Sequence, residues 1–261
     1  MKARVARYGA WQLRDYLFDR GTPTFIVVSL FGYLTLAPML MNLQRRIDML
    51  PARLITKYGG VDGARAVLLQ ETNSMFLRSF LGAVVFMGAL FAMNGIVAND
   101  RKQGFYRFLF AKPLSASYYY GQAFLVHSAG FAAIIAAMAG IYGVFVAPLP
   151  MVPLLTAVIP MFVLYAGITF ALSAAARWDW LSLVTVTVLA SYLWGKYAES
   201  TSVLAKLLYL LPPLHRTAEI YEAVAAHTPI NMNLLYWFAG YGVACYVIGL
   251  VVLRYRRLAI A

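Results

Sequence analysis

The side chains best suited to acid–base or metal chemistry in this chain are His215, Glu219 and Glu222. Placed i, i+4 and i+7, they share one face of a helix, where an imidazole and two carboxylates could hold a divalent ion or relay a proton. Arg216 and His227 stand beside them. The competing reading is a surface helix stitched by i, i+3 and i, i+4 ion pairs, and it is favoured because no further ligand lies nearby in sequence. Inside the apolar runs the lone ionisable candidate is His127, which is expected to bond a neighbouring backbone group or hydroxyl rather than carry protons. Asn94 is read the same way, as a hydrogen-bonding contact between helices. Cys245 is the only cysteine, so neither an intrachain disulfide nor a cysteine-based metal site can form.

A second constellation binds rather than reacts. Residues 99–115 read NDRKQGFYRFLFAKPLS, with Arg101, Lys102, Arg107 and Lys112 as cations, Asp100 as the acid, and Phe105, Phe108, Leu109 and Phe110 between them. The segment is too apolar for a solvated loop and too charged to span a bilayer. Its pattern predicts a short amphipathic helix at the membrane surface or docked into a partner.

The elements on either side must be membrane helices. The chain is 62% hydrophobic and 12% charged with a mean hydropathy of +0.70, against about 25% charged in an ordinary soluble domain. Continuous apolar runs fall at Pro23–Leu43, Ser79–Ala98, Tyr118–Val146, Leu154–Ala176, Leu181–Ala198 and Leu234–Leu253. Each approaches the roughly 20 residues that a bilayer crossing requires, and none alternates as a barrel strand would. The expected fold is an all-α integral membrane protein with six transmembrane helices in one domain, residues 1–261.

Orientation follows from where cations collect. With the N-terminus inside, the inner segments carry thirteen Lys and Arg and the longer outer segments nine. Both termini are therefore expected in the cytoplasm. The basic stretch 1–22 lacks a cleavage pattern. It places Ala6, Ala10, Leu13 and Leu17 on one helical face with Arg4, Arg7 and Arg14 roughly opposite, which predicts an interfacial helix leading into the first span. The net charge of +12 is spread over many membrane-flanking segments. Membrane lipids are thus the expected counter-charge, and nucleic acid is not an expected partner.

Two longer segments lie on the outer side in this topology. Residues 44–78 carry Gly59, Gly60 and Gly63 between apolar helical patterns and predict a helical hairpin. Asp62-Gly63-Ala64-Arg65 is similar to the Asp-Gly-x-x-Ala-Arg opening of CDP-alcohol phosphotransferases, but the two-residue spacer is missing and no downstream aspartate pair follows. A glycine turn with a flanking ion pair is the reading adopted. Residues 199–233, punctuated by Pro212, Pro213 and Pro229, predict one or two short helices dipping into the bilayer before the last span.

No phosphate-binding Gly-rich loop, G-x-S-x-G or H-E-x-x-H occurs in the sequence. No catalytic, cofactor or metal residue is assigned, the chain is not expected to be an enzyme, and any ATP it depends on must be hydrolysed by another chain. Taken together, a basic amphipathic N-terminal helix, six spans, and Asp100-Arg101-x-x-Gly104 leading through an apolar helix to Lys112-Pro113-Leu114-Ser115 resemble an ABC transporter permease of the type-2 exporter family. The short helices before the last span belong to the same resemblance. Lys102 stands where that family more often has an acid, and Phe105-Tyr106 where a small or hydroxyl residue is usual.

The resemblance implies that two such permeases, or this one with a related chain, pair with two cytoplasmic ABC ATPase subunits that bind ATP and Mg. It implies a coupling helix over Asp100–Lys112 within the cytoplasmic segment 99–117. There Phe105, Phe108 and Leu109 would pack in a groove of the ATPase, the cations would meet its acids, and Pro113 would turn the chain toward the third span. The setting it implies is a bacterial cytoplasmic (inner) membrane. The alternatives are an interfacial helix that only anchors a loop, a non-transporting partner subunit, or a membrane-embedded enzyme acting through the outer segments. Spans almost free of charge suit lipids, lipid-linked glycans or hydrophobic drugs, with Tyr119, Tyr120, Tyr165, Trp194, Tyr197 and Trp237 available for contact or for helix packing.

Overall fold

Every described element is helical, the arrangement in which backbone groups satisfy one another without water. The structure is a computed structural model that describes residues 2–77, 82–93, 96–97, 100, 115–145, 148–175, 179–197, 208, 211 and 214–255. In chain order the helices are α1 (Lys2–Asp15), α2 (Thr22–Asp48), α3 (Ala52–Lys57), α4 (Val61–Phe76), α5 (Gly82–Met93), α6 (Ala116–Phe145), α7 (Met151–Ala175), α8 (Asp179–Tyr197), α9 (Thr217–Ala225) and α10 (Met232–Tyr255). Three are long and apolar enough to cross a membrane: Ala116–Val144, Met151–Ala175 and Met232–Tyr255. They coincide with the third, fourth and sixth predicted runs. Helices α2 and α8 contain the first and most of the fifth, and α5 is an apolar helix of 12 residues inside the second. The rest of that run, residues 79–81, 94–95 and 98, lies outside the described residues, and so does Asn94.

Helix α7 is apolar on all sides and becomes the centre of the bundle, as an all-round apolar helix must. Ala157, Met161, Leu164, Ala166 and Phe170 are all buried along it. Its closest partner is α10, and two glycines explain why. A methyl group on Gly167 would lie 2.0 Å from the Gly242 carbonyl oxygen, and one on Gly242 would lie 2.3 Å from the Val163 carbonyl oxygen. In lipid, apolar burial does not by itself separate helix contacts from lipid contacts, so close backbone approach through small residues supplies the attraction. The α5–α6 contact works similarly: Gly88 leaves room for Phe131, which stacks on Phe162 of α7 at 4.5 Å between ring centroids. The outward sides of α6 and α10 keep Leu125, Val144, Val243, Val247 and Val251 exposed, in keeping with lipid contact.

The N-terminal helix forms, but it docks by an unexpected face. Chain direction is helical through a wider π-helical turn, Tyr16–Gly21, into α2. Gln12 and Tyr16 are buried against α6, whereas Ala10, Leu13 and Leu17 of the predicted apolar face stay exposed.

The hairpin predicted after the first run is helical. The end of α2 packs on α4 through Leu43, Ile47 and Leu68. Gly59 and Gly60 turn the chain with φ of 79° and 103°, a region that only glycine enters freely. A methyl group on Gly63 would meet the Tyr58 carbonyl oxygen at 1.7 Å, so that position also requires glycine. An ion pair here joins Arg46 to Glu71 at 3.1 Å, and Asp62 sits in the first turn of α4, where the helix dipole favours an acid.

Candidate functional site

The described flanks of the 99–115 segment meet at one end of the bundle. Ser115 caps α6: its Oγ accepts the Tyr118 N–H at 3.2 Å, and its carbonyl accepts Tyr118 and Tyr119 N–H, each at 3.1 Å. That is the arrangement expected of a helix-starting serine. Five residues along α6, the Tyr120 hydroxyl donates to Asp100 Oδ2 at 3.0 Å. Asp100 stands at the start of the segment and Ser115 at its end, so one hydrogen bond ties the start of the segment to the helix by which the chain returns. Of the residues predicted to form the coupling surface, Asp100 is thereby placed. Arg101, Lys102, Gly104, Phe105, Arg107, Phe108, Leu109, Lys112 and Pro113 lie outside the described residues.

The N-terminal helix is fastened to the same turn. Gln12 Nε2 donates to the Tyr119 carbonyl oxygen at 3.2 Å, and a methyl group on Gly9 would stand 2.6 Å from Gln122 Nε2. Tyr16 lies with its ring 4.9 Å from the His127 ring and against Gly130, where a methyl group would approach it to 2.2 Å. Burial pushes the Tyr16 hydroxyl well above its ordinary range, so it remains protonated. His127 is buried in this contact, consistent with a packing role.

From the Asp100–Tyr120 bond a run of aromatic contacts leads into the bundle. Tyr120 lies 5.7 Å from Phe170 of α7, Phe170 lies 4.7 Å from Tyr246 of α10, and Tyr246 lies 4.6 Å from Phe124 of α6. Tyr119 meets Tyr120 edge-on at 5.1 Å. Such pairs contribute about 0.5–1.5 kcal/mol each beyond area burial. These contacts join α6 to α7 and α10 at the Asp100 end of the bundle. The site's described side chains are phenols, phenyl rings, an amide, one carboxylate, the Ser115 hydroxyl and the His127 imidazole, and Ser115 is engaged in capping α6 while His127 packs on Tyr16.

The other candidate chemistry resolves into structure. His215 stacks on Trp194 at 4.0 Å, and Arg216 holds Glu219 with two 2.9 Å hydrogen bonds, the i, i+3 pair predicted there. Desolvation against the ring, with the Arg216 charge beside it, lowers the His215 pKa, and the Arg216 hydrogen bond lowers that of Glu219. Among the described residues no three His, Cys, Asp or Glu side chains gather as metal ligands. His227 instead ends α9 at φ 54°, while Thr228 N–H reaches the Ala223 carbonyl at 3.0 Å and His227 N–H reaches Val224 at 3.3 Å. This is the left-handed closing motif of a helix C-terminus. Of the aromatics named for substrate contact, Tyr119, Tyr120, Tyr165 and Trp194 are buried in packing.

Sequence reasoning passed over Gln12, Tyr16 and Gly130. The available signal was Gly130 three residues after His127, a gap on one face of α6 sized for an aromatic ring. Comparison of the chain with protein-family models, with curated proteins and with solved structures finds no match.

Proposed function

We propose that this chain is the permease subunit of an ATP-driven exporter of the ABC type-2 class, embedded by six spans in a bacterial inner membrane with both termini in the cytoplasm. The reading rests on the Asp100–Tyr120 hydrogen bond, which, with the Ser115 cap, holds both flanks of a basic, phenylalanine-rich segment at the end of the bundle where the N-terminal helix docks. A segment fastened at both ends passes displacement to its helices, whereas a freely hinged loop absorbs it. In this reading the coupling helix Asp100–Lys112 seats in a separate ATPase subunit that binds ATP and Mg. A second copy, or a related chain, completes the pathway.

Motion of the seated segment is carried by Asp100 and Tyr120 to α6, and by Phe170 and Tyr246 to α7 and α10. Through Gln12 and Tyr16 the N-terminal helix moves with α6. Residues 44–78 and 199–233 then lie on the outer side.

The test is co-purification from mild detergent of the native chain and of a variant with Phe105, Phe108 and Leu109 changed to Ser. An ATPase recovered with the native chain and lost with the variant supports the reading. If neither chain retains one, the segment is an anchor in the headgroups and the transporter reading fails.

A further inference from the structure

The hairpin that follows α2 carries cations that no acid among the described residues neutralises. Between residues 45 and 71 stand five cations and three acids. Arg46 is paired with Glu71, but Arg45, Arg53, Lys57 and Arg65 have no acidic partner among the described residues. Helix α3, which bears Arg53 and Lys57, buries none of its residues. Beside these cations Met49 is 66% exposed and Val61 54% exposed. An exposed, basic and partly apolar surface suits an anionic partner, and the geometry of α2 indicates which.

Helix α2 is unbroken from Thr22 to Asp48, so it carries the apolar run 23–43 directly into the hairpin. At 1.5 Å per residue Arg45 lies about 3 Å, and Met49 about 9 Å, beyond the end of that run. Both distances fall within the headgroup layer of a bilayer. We propose that the 45–65 hairpin is a docking surface for anionic phospholipid headgroups, with Arg45, Arg53, Lys57 and Arg65 as the contacts and Met49 entering the apolar boundary. Lipid is favoured over an acidic polypeptide because the cations are interleaved with exposed apolar side chains at headgroup depth, the pattern of a surface that is both charged and inserted. The proposal depends on the first span of the reading above but not on the ATPase.

The experiment uses the full chain carrying Cys245→Ser and Met49→Cys, labelled with a polarity-sensitive fluorophore and reconstituted into nanodiscs. One set is phosphatidylcholine and the other contains about 30% phosphatidylglycerol. The expected result is a blue shift in the anionic discs. It is reversed near 1 M salt, where the Debye length is about 3 Å, and lost when the four cations are changed to Gln. Emission that is the same in both lipids overturns the proposal, whether a partner protein or water covers the hairpin. A parallel Leu34→Cys variant is treated with an impermeant maleimide. Labelling there removes the first span and the proposal with it, while protection at Leu34 with lipid-insensitive emission removes the proposal alone.

Discussion

Tyr120 donates a 3.0 Å hydrogen bond to Asp100 across a sequence gap of 20 residues, and in doing so closes the base of the basic segment between α5 and α6. The bond is strong for its surroundings. It is part-buried, its acceptor is a carboxylate, and its donor ring is held by Tyr119 and Phe170.

Changing Tyr120 to Phe keeps those ring contacts and removes only the hydroxyl. The expected loss is about 1.5 kcal/mol, the scale of a hydrogen bond to a charged group. That corresponds to about a tenfold rise in the open form of the base. Trypsin has sites at Arg101, Lys102 and Arg107, while Pro113 blocks cleavage after Lys112, and cleavage at those three is expected to accelerate by a similar factor. Cleavage at the native rate would show that the bond does not restrain the segment.

The α7–α10 contact predicts a sharp contrast between two glycines on one helix. Gly242→Ala puts a methyl group 2.3 Å from a backbone oxygen that cannot rotate away, so α7 and α10 must separate. The expected cost is about 2–3 kcal/mol, the upper range for overpacking. Gly240 has open space where a methyl group would stand. There alanine is expected to be neutral or to stabilise by up to about 1 kcal/mol through helix propensity. Thermal unfolding in detergent compares the two, and equal effects would reject the close-packed interface.

The long apolar helices were legible because composition and length suffice. The expected runs at 118–146, 154–176 and 234–253 end within three residues of Ala116–Phe145, Met151–Ala175 and Met232–Tyr255. Which face of a helix meets protein was not legible. The expected apolar face of the N-terminal helix was Ala6, Ala10, Leu13 and Leu17, yet Ala10, Leu13 and Leu17 are exposed while Gln12 and Tyr16 are buried, with Gly9 close against Gln122. Lipid accepts apolar side chains as readily as protein does, so helix contacts select for small residues and hydrogen bonds instead. The Asp100–Tyr120 bond was hidden for a different reason. Each residue is ordinary in its own segment, and only the return of α6 to the end of α5 brings them together.

His227 ends α9 in a left-handed conformation that a side chain adopts at a cost of about 1 kcal/mol. Its backbone amide completes the closing motif, and the residue is exposed. His227→Gly is therefore expected to raise stability by about 1 kcal/mol, seen as a higher unfolding temperature in detergent. A fall in stability would mean that the imidazole makes a contact worth more than the backbone strain.

The stack of His215 on Trp194 predicts a pH dependence with a definite sign. Desolvation against the indole lowers the His215 pKa below its ordinary 6.5, so the folded protein prefers the neutral ring. As the pH falls from neutral, the unfolded chain takes up a proton first, and the stability contributed above 6.5 is lost as the pH passes down through the lowered value. The Arg216–Glu219 pair has the same sign in a more acidic window, below the ordinary 4.5 of a glutamate, so the two separate on the pH axis. Unfolding of the native chain and of His215→Gln, compared from about pH 8 to 5, isolates the histidine. The native chain's advantage is expected to hold near neutrality and to shrink toward pH 5, by a small amount because the residue is otherwise exposed. A difference that stays flat over this range would show that Trp194 does not shield the ring from water.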